Sequence, residues 1–537
     1  MPNILNNNVV YDDNTKQLLY QSEDENGNVQ TTILWNDVEY PYLLRDIDTQ
    51  TMYIVITSVI HGKSITKEIP LDEIQPKSLS RYSKYGFPFG ILSYTKLISS
   101  WLYQIEPNLD VLNITHDLGW KTYEGESYFQ LQNSICHNPD INVEYSGDMS
   151  IDSKGTFNDY IAILNDYVVP NIETQTILTF SVSSALASLL NPDLTLVLHM
   201  NGESTTGKTT MLKLAASVWG STNISEDGII QTWNTTKNAL INSMCGFNGI
   251  TLCYDELGAS DSDISNLIYL LSNGVNKKRM YSEKSKKFSV NICSSGEIPL
   301  KTVDEVNGTD ARLLEFRVQW TKNAQHSNNL TSALKNCYGL LGERFVKFLL
   351  ARPKETMQNN LNKAQNKLMS KFQDKLDVLP SKKKRIITRT IQKIAVTYLT
   401  AVILKKEFNL ALKPFKIAEF MLFKSNLLNI LDDECIRMLE DYMQYRKSTP
   451  TIIKQDDSSE FITDEYICIT KSTFYDNLQH LGYRKQNILN NLKELSNRNI
   501  IRCESGKLYN RHKIGNNRYP YIDISIPQLK KEGIDYE

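Results

Sequence analysis

One stretch of eight residues constrains this chain more than any other. Gly202, Glu203, Ser204, Thr205, Thr206, Gly207, Lys208 and Thr209 fit the pattern GxxxxGK[ST], and Thr210 follows directly. The stretch stands between an apolar run at 194–200 and a helix-forming run at 208–218, where such a loop has a mechanism. Glycines let backbone N–H groups wrap phosphates, and the helix that follows offers its positive N-terminus. Lys208 supplies a point charge for the β- and γ-phosphates of ATP, and Thr209 a hydroxyl for Mg²⁺. A strand feeding a loop and helix of this kind requires a parallel sheet covered by helices on both faces.

The same sheet should carry the rest of a nucleotide site. The apolar run at 250–254 ends in Asp255 and Glu256, and Asp255 lies 47 residues after Lys208 (255 − 208). Two acids at a strand end serve different purposes. Asp255 is placed to hold the metal, and Glu256 to polarise an attacking water, which favours hydrolysis over transfer to a bound acceptor. A third strand, 288–293, ends at Ser294 and Ser295, and Ser295 is the candidate sensor of the γ-phosphate; an SSG turn also reads as simple punctuation. Arg312 opens a further apolar run and is either a finger for the γ-phosphate of a neighbouring subunit or a structural ion pair. Arg385 and Arg389, one turn apart, are either a second phosphate sensor or an exposed basic face.

Around this core the sequence divides into segments. Residues 1–75 alternate apolar and polar, turn at His61-Gly62, and hold twelve acids against four bases, so they read as an acidic β-rich domain. Residues 76–157 read as a mixed α/β module, 158–352 as the nucleotide core, 353–447 as a helical lid and 448–460 as a linker. Residues 461–537 give helix, helix and β-hairpin, the order of a winged helix. The overall expectation is an α/β P-loop fold of the AAA+ type, with additional strand catalytic glutamate (ASCE) layout, flanked by these segments.

Two basic segments point to a polyanion. Lys277, Lys278, Arg279, Lys284, Lys286 and Lys287 enter the sheet just before Phe288, where a hairpin could project into a central pore and grip single-stranded DNA by its phosphates; a lysine-rich solvated loop is the alternative. Residues 471–518 carry ten bases against three acids. There Arg484 and Lys485, with Asn487, Asn490 and Asn491, flank the apolar helix positions Ile488, Leu492 and Leu495. Lys507, Arg511, His512, Lys513 and Arg518 fall in the hairpin, where a winged helix straddles duplex backbone or contacts protein.

Composition narrows the class without naming it. With 41% hydrophobic and 22% charged residues the chain is an ordinary globular one. Its eight cysteines contain no CxxC pair, which disfavours zinc ribbons and a disulfide framework and fits a reducing, bacterial cytoplasmic setting. The most apolar stretch, 177–198, is broken by Asn191, Pro192 and Asp193, so no membrane span is expected.

Taken together, the loop, Thr232-Trp233 with Thr235, Tyr254 through Leu257, Leu271 through Gly274, Ser295 through Glu297, Arg312 through Leu314 and Leu118 through Trp120 resemble the helicases carried by phages and staphylococcal cassette chromosomes (SCCmec), a family first catalogued as a domain of unknown function. The likeness spans roughly residues 115–400. Such helicases are similar to minichromosome-maintenance (MCM-like) helicases. The resemblance implies a hexameric ring, a pore hairpin ahead of the sensor strand, 3′-to-5′ movement on single-stranded DNA, and a role in replicating a mobile element together with its other replication proteins. Carried over by position, it makes Lys208, Thr209, Asp255 and Glu256 the catalytic core, Ser295 the sensor, Arg312 the finger and residues 277–287 the pore contact. Serine stands where the family's first sensor is usually asparagine. The alternative function is an AAA+ initiator or remodeller that uses ATP for assembly on DNA without unwinding it.

Overall fold

The computed structural model describes residues 8–202, 205–225, 227–233, 240, 243–257, 287–300, 311–377, 381–425, 434–448, 459–515, 517–532, 534 and 536. They form two units, Met1–Met149 and Ser150–Glu537.

In the first unit the period-2 alternation yields strands. β1 (Val9–Asp12), β2 (Gln17–Glu23) and β3 (Val29–Trp35) form an antiparallel meander. β4 (Tyr42–Asp46), β5 (Met52–Ile60) and β6 (Lys63–Pro70) follow. The β5–β6 turn uses His61 and Gly62 at φ 51° and 76°, the mirror-image turn whose twist matches its strands. α1 (Pro76–Leu79) and α2 (Leu92–Ile105) come next, and Ile98, Trp101 and Leu102 of α2 share one apolar cluster with Ile54, Ile56 and Ile69. β7 (Val111–Thr115), β8 (Gly119–Tyr123), β9 (Glu126–Gln130), β10 (Ser134–Ile135) and β11 (Val143–Tyr145) complete the unit. β8, β9 and β10 are antiparallel, whereas β7 and β11 extend the earlier strands in the order β11-β7-β4-β5-β6. Strands from both sides of residue 75 therefore share one sheet.

The second unit contains α3 (Phe157–Ile163), α4 (Ile172–Leu190), β12 (Val197–Met200), α5 (Lys208–Ala216), β13 (Ile230–Thr232), β14 (Asn248–Leu257), β15 (Ser289–Gly296) and β16 (Leu313–Phe316). The strands lie in the order β13-β14-β15-β12-β16 and every pairing is parallel. β15 thus separates β12, which feeds the loop, from β14, which carries the two acids. Strands buried on both faces read as continuous apolar runs, as these do.

α4 is buried on nearly every face, against β14 and β15 on one side and later helices on the other. Its hydroxyls are satisfied internally: Ser181 Oγ donates to Ala215 O (2.7 Å), Ser184 Oγ to Ile250 O (2.5 Å) and Thr179 Oγ1 to Gln175 O (2.7 Å). Asn291 of β15 donates to Phe180 O (2.9 Å), fastening helix to sheet. Small polar residues let the helix approach the strands closely without leaving a donor unpaired.

Helices then dominate: α6 (Ala324–Leu334), α7 (Leu341–Leu350), α8 (Lys354–Asp377), α9 (Ser381–Glu407), α10 (Pro414–Phe423) and α11 (Glu434–Ser448). α9 packs on α4, α8 and α10. Within it, Lys384–Glu407 is long and apolar enough to cross a membrane by length and composition, but 72% of that window is buried inside the protein, as in a core helix.

The C-terminal elements are β17 (Glu460–Ile462), β18 (Tyr466–Thr470), α12 (Lys471–His480), α13 (Lys485–Asn497), β19 (Ile501–Arg502), β20 (Asn510–Ile514), β21 (Asn517–Ser525) and α14 (Ile526–Glu532). The sheet runs β17-β18-β21-β19 with β20 also on β21. Both helices fall where the apolar spacing puts them, and the hairpin is β20–β21. α11, counted in sequence with the helices before it, instead shares a cluster with this part: Met438, Leu439, Tyr442 and Met443 pack with Phe474, Ile488 and Leu495. All eight cysteines are free thiols.

Candidate functional site

The loop between β12 and α5 is shaped by residues that accept left-handed backbone. Gly202 has φ 117°, Thr205 73° and Gly207 91°. A side chain at Gly207 would meet Thr321 Cγ2 and Oγ1 at 2.7 Å, so this glycine is required by space as well as by dihedral. Both ends of the loop are tied to the end of β16 and the chain just after it, through Asn201 N–H to Phe316 O (2.9 Å) and Trp320 N–H to Thr206 O (2.9 Å). Glu203 and Ser204 lie outside the described residues.

A cavity of about 580 Å³ opens over this loop, lined among others by Lys208, Thr209, Thr210, Asp255, Glu256 and Ser295. The sequence candidates from three strands therefore converge. Asp255, 4% exposed, is the hub: Oδ2 accepts from Thr209 Oγ1 (3.1 Å), while Oδ1 accepts from the Ser295 hydroxyl and from Glu256 N–H (3.0 Å). Glu256 itself is exposed and holds φ 62°, a conformation costing a non-glycine residue about 1–2 kcal/mol. Strain of this kind persists only where surrounding structure imposes it, and it is often found at functional sites.

Lys208 donates to Gly202 O (2.7 Å). Partial burial pulls its pKa below the ordinary lysine value, against the opposing pull of Glu297 and Asp255. Thr210 reaches Ser327 Oγ at 2.6 Å, joining α5 to α6. The Thr209 hydroxyl beside the Asp255 carboxylate is the oxygen pair that suits Mg²⁺, a hard cation that binds few protein ligands and keeps water.

Behind the cavity runs a buried polar chain. Trp233 Nε1–H donates to Ser294 Oγ (3.0 Å), Ser294 Oγ lies 2.9 Å from His199 Nδ1, and His199 Nε2 lies 2.9 Å from Ile298 O. Burial drives the His199 pKa from 6.5 down to about 4, aided by the nearby Lys208 charge, so the ring is neutral near pH 7. A neutral ring that donates to the Ile298 carbonyl from Nε2 must accept the Ser294 proton at Nδ1.

Arg312 and Arg389 do not line this cavity. Arg312 precedes β16 at the end opposite the loop, where its carbonyl accepts from Val197 N–H (2.9 Å) and its guanidinium pairs with Asp193 (3.7 Å). Arg389 is exposed on α9, one turn before Lys393, whose ammonium binds the Asp193 and Thr195 carbonyls (3.1 Å for the latter). Burial lowers the Lys393 pKa to about 8. Lys287 is exposed at the start of β15, also at the rim away from the cavity; Lys277, Lys278, Arg279, Lys284 and Lys286 lie outside the described residues.

In the C-terminal part Arg484, Lys485, Arg511 and Lys513 are exposed, while Lys507 is half-buried and paired with Glu504 (2.7 Å). Asn491, expected at a free polar position, is buried with Nδ2 3.6 Å from Met438 Sδ, because α11 covers that face. No sequence pattern assigns a role to Glu297, Thr321 or Asn328, which also line the cavity. The latter two follow β16 without any motif.

Comparison with known proteins bears on the fold. Residues 60–291 match the profile of a domain of unknown function, DUF927. No curated protein sequence matches. Among solved structures, one titled "SCCmec type IV Cch - active helicase" superposes with a TM-score of 0.65 at 18% identity, over 99% of this chain and 100% of that one. The C-terminal region of NrS-1 in its apo A form covers 91% of this chain at 10% identity, with a TM-score of 0.31. The family resemblance read from the motifs is thus met at the level of the fold: this chain is built, over almost its whole length, on the fold of the SCCmec Cch helicase.

Proposed function

We propose that the chain is an ATP-hydrolysing AAA+ motor that unwinds DNA, working as a hexameric ring in the replication of a mobile element. The observation that carries this reading is the convergence of Lys208, Thr209, Asp255, Glu256 and Ser295 on one cavity, with β15 lying between the strands of the loop and of the acids. That strand order suits a hydrolase, since the strand of Asp255 and Glu256 is separate from the strand of the loop while both line one cavity. The fold shared with a protein titled an active helicase supports DNA as the partner.

In this reading Lys208 leaves the Gly202 carbonyl and neutralises the terminal phosphates of ATP. Thr209 and Asp255 would hold Mg²⁺, which supplies charge neutralisation to the triphosphate when bound. Ser295 keeps Asp255 oriented through its hydrogen bond. Glu256 accepts the proton of the attacking water, a contribution worth about 10²–10⁴ in rate for a positioned base. Arg312, at the far rim of its own sheet, serves the site of an adjoining copy. Residues 277–287 grip single-stranded DNA in the pore, and 3′-to-5′ movement follows the family. Helices α8–α10 act as the lid and the C-terminal helices and hairpin as a winged helix, with Arg484, Lys485, Lys507, Arg511 and Lys513 toward duplex backbone.

The test is Glu256→Gln in the full chain. ATP hydrolysis, its stimulation by single-stranded DNA, and strand separation should all fall together while nucleotide binding persists. Hydrolysis that is unaffected by the substitution would remove Glu256 from its role. A wild-type protein that hydrolyses ATP and binds DNA but never separates strands would point to an assembly factor instead.

A further inference from the structure

A second cavity, about 500 Å³, lies away from the nucleotide loop, between the start of α4, the end of α8 and α10. Its polar wall is strongly one-sided. Lys375, Lys413, Lys416 and Lys424 line it against one carboxylate, Glu419, which Lys416 engages at 2.9 Å. All four lysines are exposed. Gathering like charges around a concave wall focuses positive potential there, and the repulsion among them is relieved when an anion enters.

The apolar wall holds Ile172 and two aromatic rings, Phe420 and Phe423. The half-buried Phe423 ring has Lys375 Nζ 3.8 Å from its centroid, and outside the cavity lining Phe415 on the same helix has Lys367 Nζ at 5.0 Å. Lys367, Lys371 and Lys375 recur every four residues along α8, so the basic strip continues beyond the cavity on one helix face. Ammonium groups alternating with ring faces are what a flexible polynucleotide requires: phosphates on the cations, a base against the ring. A free acidic peptide would use the lysines but has no need of the rings.

The position also gives the site a route to the loop. Phe420, another wall residue, stacks on Phe316 at 5.4 Å and 6° and lies edge-on to Trp320 at 6.0 Å. The backbones of Phe316 and Trp320 are those that hold the two ends of the phosphate loop.

We propose that the α4–α8–α10 cavity is a binding site for single-stranded nucleic acid, separate from the pore and hairpin segments, with the strand's phosphates on Lys413, Lys416 and Lys424 and a base against Phe423. This assignment rests on the reading of the chain as a DNA-acting motor. It is tested by fluorescence anisotropy of a labelled twenty-residue oligothymidylate with the full chain, without nucleotide, over a salt series. Replacing Lys413, Lys416 and Lys424 by Gln should weaken binding at least about tenfold and reduce the slope of log affinity against log salt by about 2, at about 0.7 per lost phosphate contact. Phe423→Leu should weaken binding roughly fivefold with the slope unchanged, since stacking is not ionic. Thermal unfolding of each variant confirms that the fold is kept. Wild-type affinity and slope in the triple variant would overturn the proposal. So would displacement of the oligonucleotide by polyglutamate as readily as by unlabelled oligonucleotide, which would make the site one for acidic protein. Failure of the motor reading is read separately, as a wild-type chain that does not hydrolyse ATP.

Discussion

Acidification should weaken the second unit through a single buried imidazole. His199 sits under the loop with no exposed surface, held between Ser294 Oγ and the Ile298 carbonyl. Its pKa falls from 6.5 to about 4 in the folded chain. The unfolded chain therefore takes up a proton as pH drops through 6.5, while the folded chain resists until about pH 4. Stability contributed by this group is fully present above pH 6.5 and is lost as pH falls toward 4, at about 1.4 kcal/mol per unit and about 3 kcal/mol in all. Protonation would also turn Nδ1 from an acceptor into a donor facing Ser294, and place a second cation near Lys208. The assay is urea unfolding at pH 7.5, 6.5, 5.5 and 4.5, followed by tryptophan fluorescence, to which the buried Trp219, Trp233 and Trp320 of this unit contribute. His199→Gln can keep a donor for Ile298 and cannot titrate, so subtracting its pH profile isolates the imidazole. Parallel loss of stability in the two proteins between pH 6.5 and 4.5 would refute the argument.

Four further outcomes are expected. Gly207→Ala forces a Cβ within 2.7 Å of Thr321 in left-handed backbone and should cost the loop about 2–4 kcal/mol, abolishing binding of a fluorescent ATP analogue. Gly506→Ala, also left-handed (φ 74°) but in open space, should cost only about 1 kcal/mol by urea unfolding and leave nucleotide binding intact. Arg312→Ala and Glu256→Gln should each be inactive alone, yet an equal mixture should regain roughly a quarter of wild-type hydrolysis, as one copy supplies the glutamate and another the arginine; a mixture as dead as its parts would place Arg312 in its ion pair with Asp193 only. Asp523, with a fully buried side chain, accepts from Arg502 (2.9 Å), Asn510 (2.8 Å) and His512 (2.8 Å), so Asp523→Asn should destabilise the C-terminal part by about 2–4 kcal/mol, seen as a lower calorimetric transition.

Local spacing carried much of what could be read beforehand. The loop, β14 with its two acids, and the two C-terminal helices are local patterns, and each has its own signature within about a dozen residues. What escaped depends on residues far apart in the chain. Thr321 bars a side chain at Gly207 from more than a hundred positions away, and no periodicity marks it. His199 reads as one polar residue in an apolar run, and only Ser294, Trp233 and Ile298 together make it a fixed, neutral ring. α11 looked like one more helix of the preceding series because its apolar positions say that a core exists, not which core. Arg389, read either as a phosphate sensor or as part of an exposed basic face, is exposed and does not line the cavity, and its charge alone does not distinguish the two roles.

The two rims of the parallel sheet are chemically unlike. Lys208, Asp255 and Glu256 gather where the strands end, and Arg312 and Lys287 where they begin. If Arg312 completes a neighbour's cavity as proposed, a molecule with a socket on one side and a plug on the other cannot be satisfied by pairing face to face, since two sockets or two plugs would meet. Copies that complete each other must follow nose to tail, and such a procession leaves a spare plug and an empty socket unless its last member meets its first.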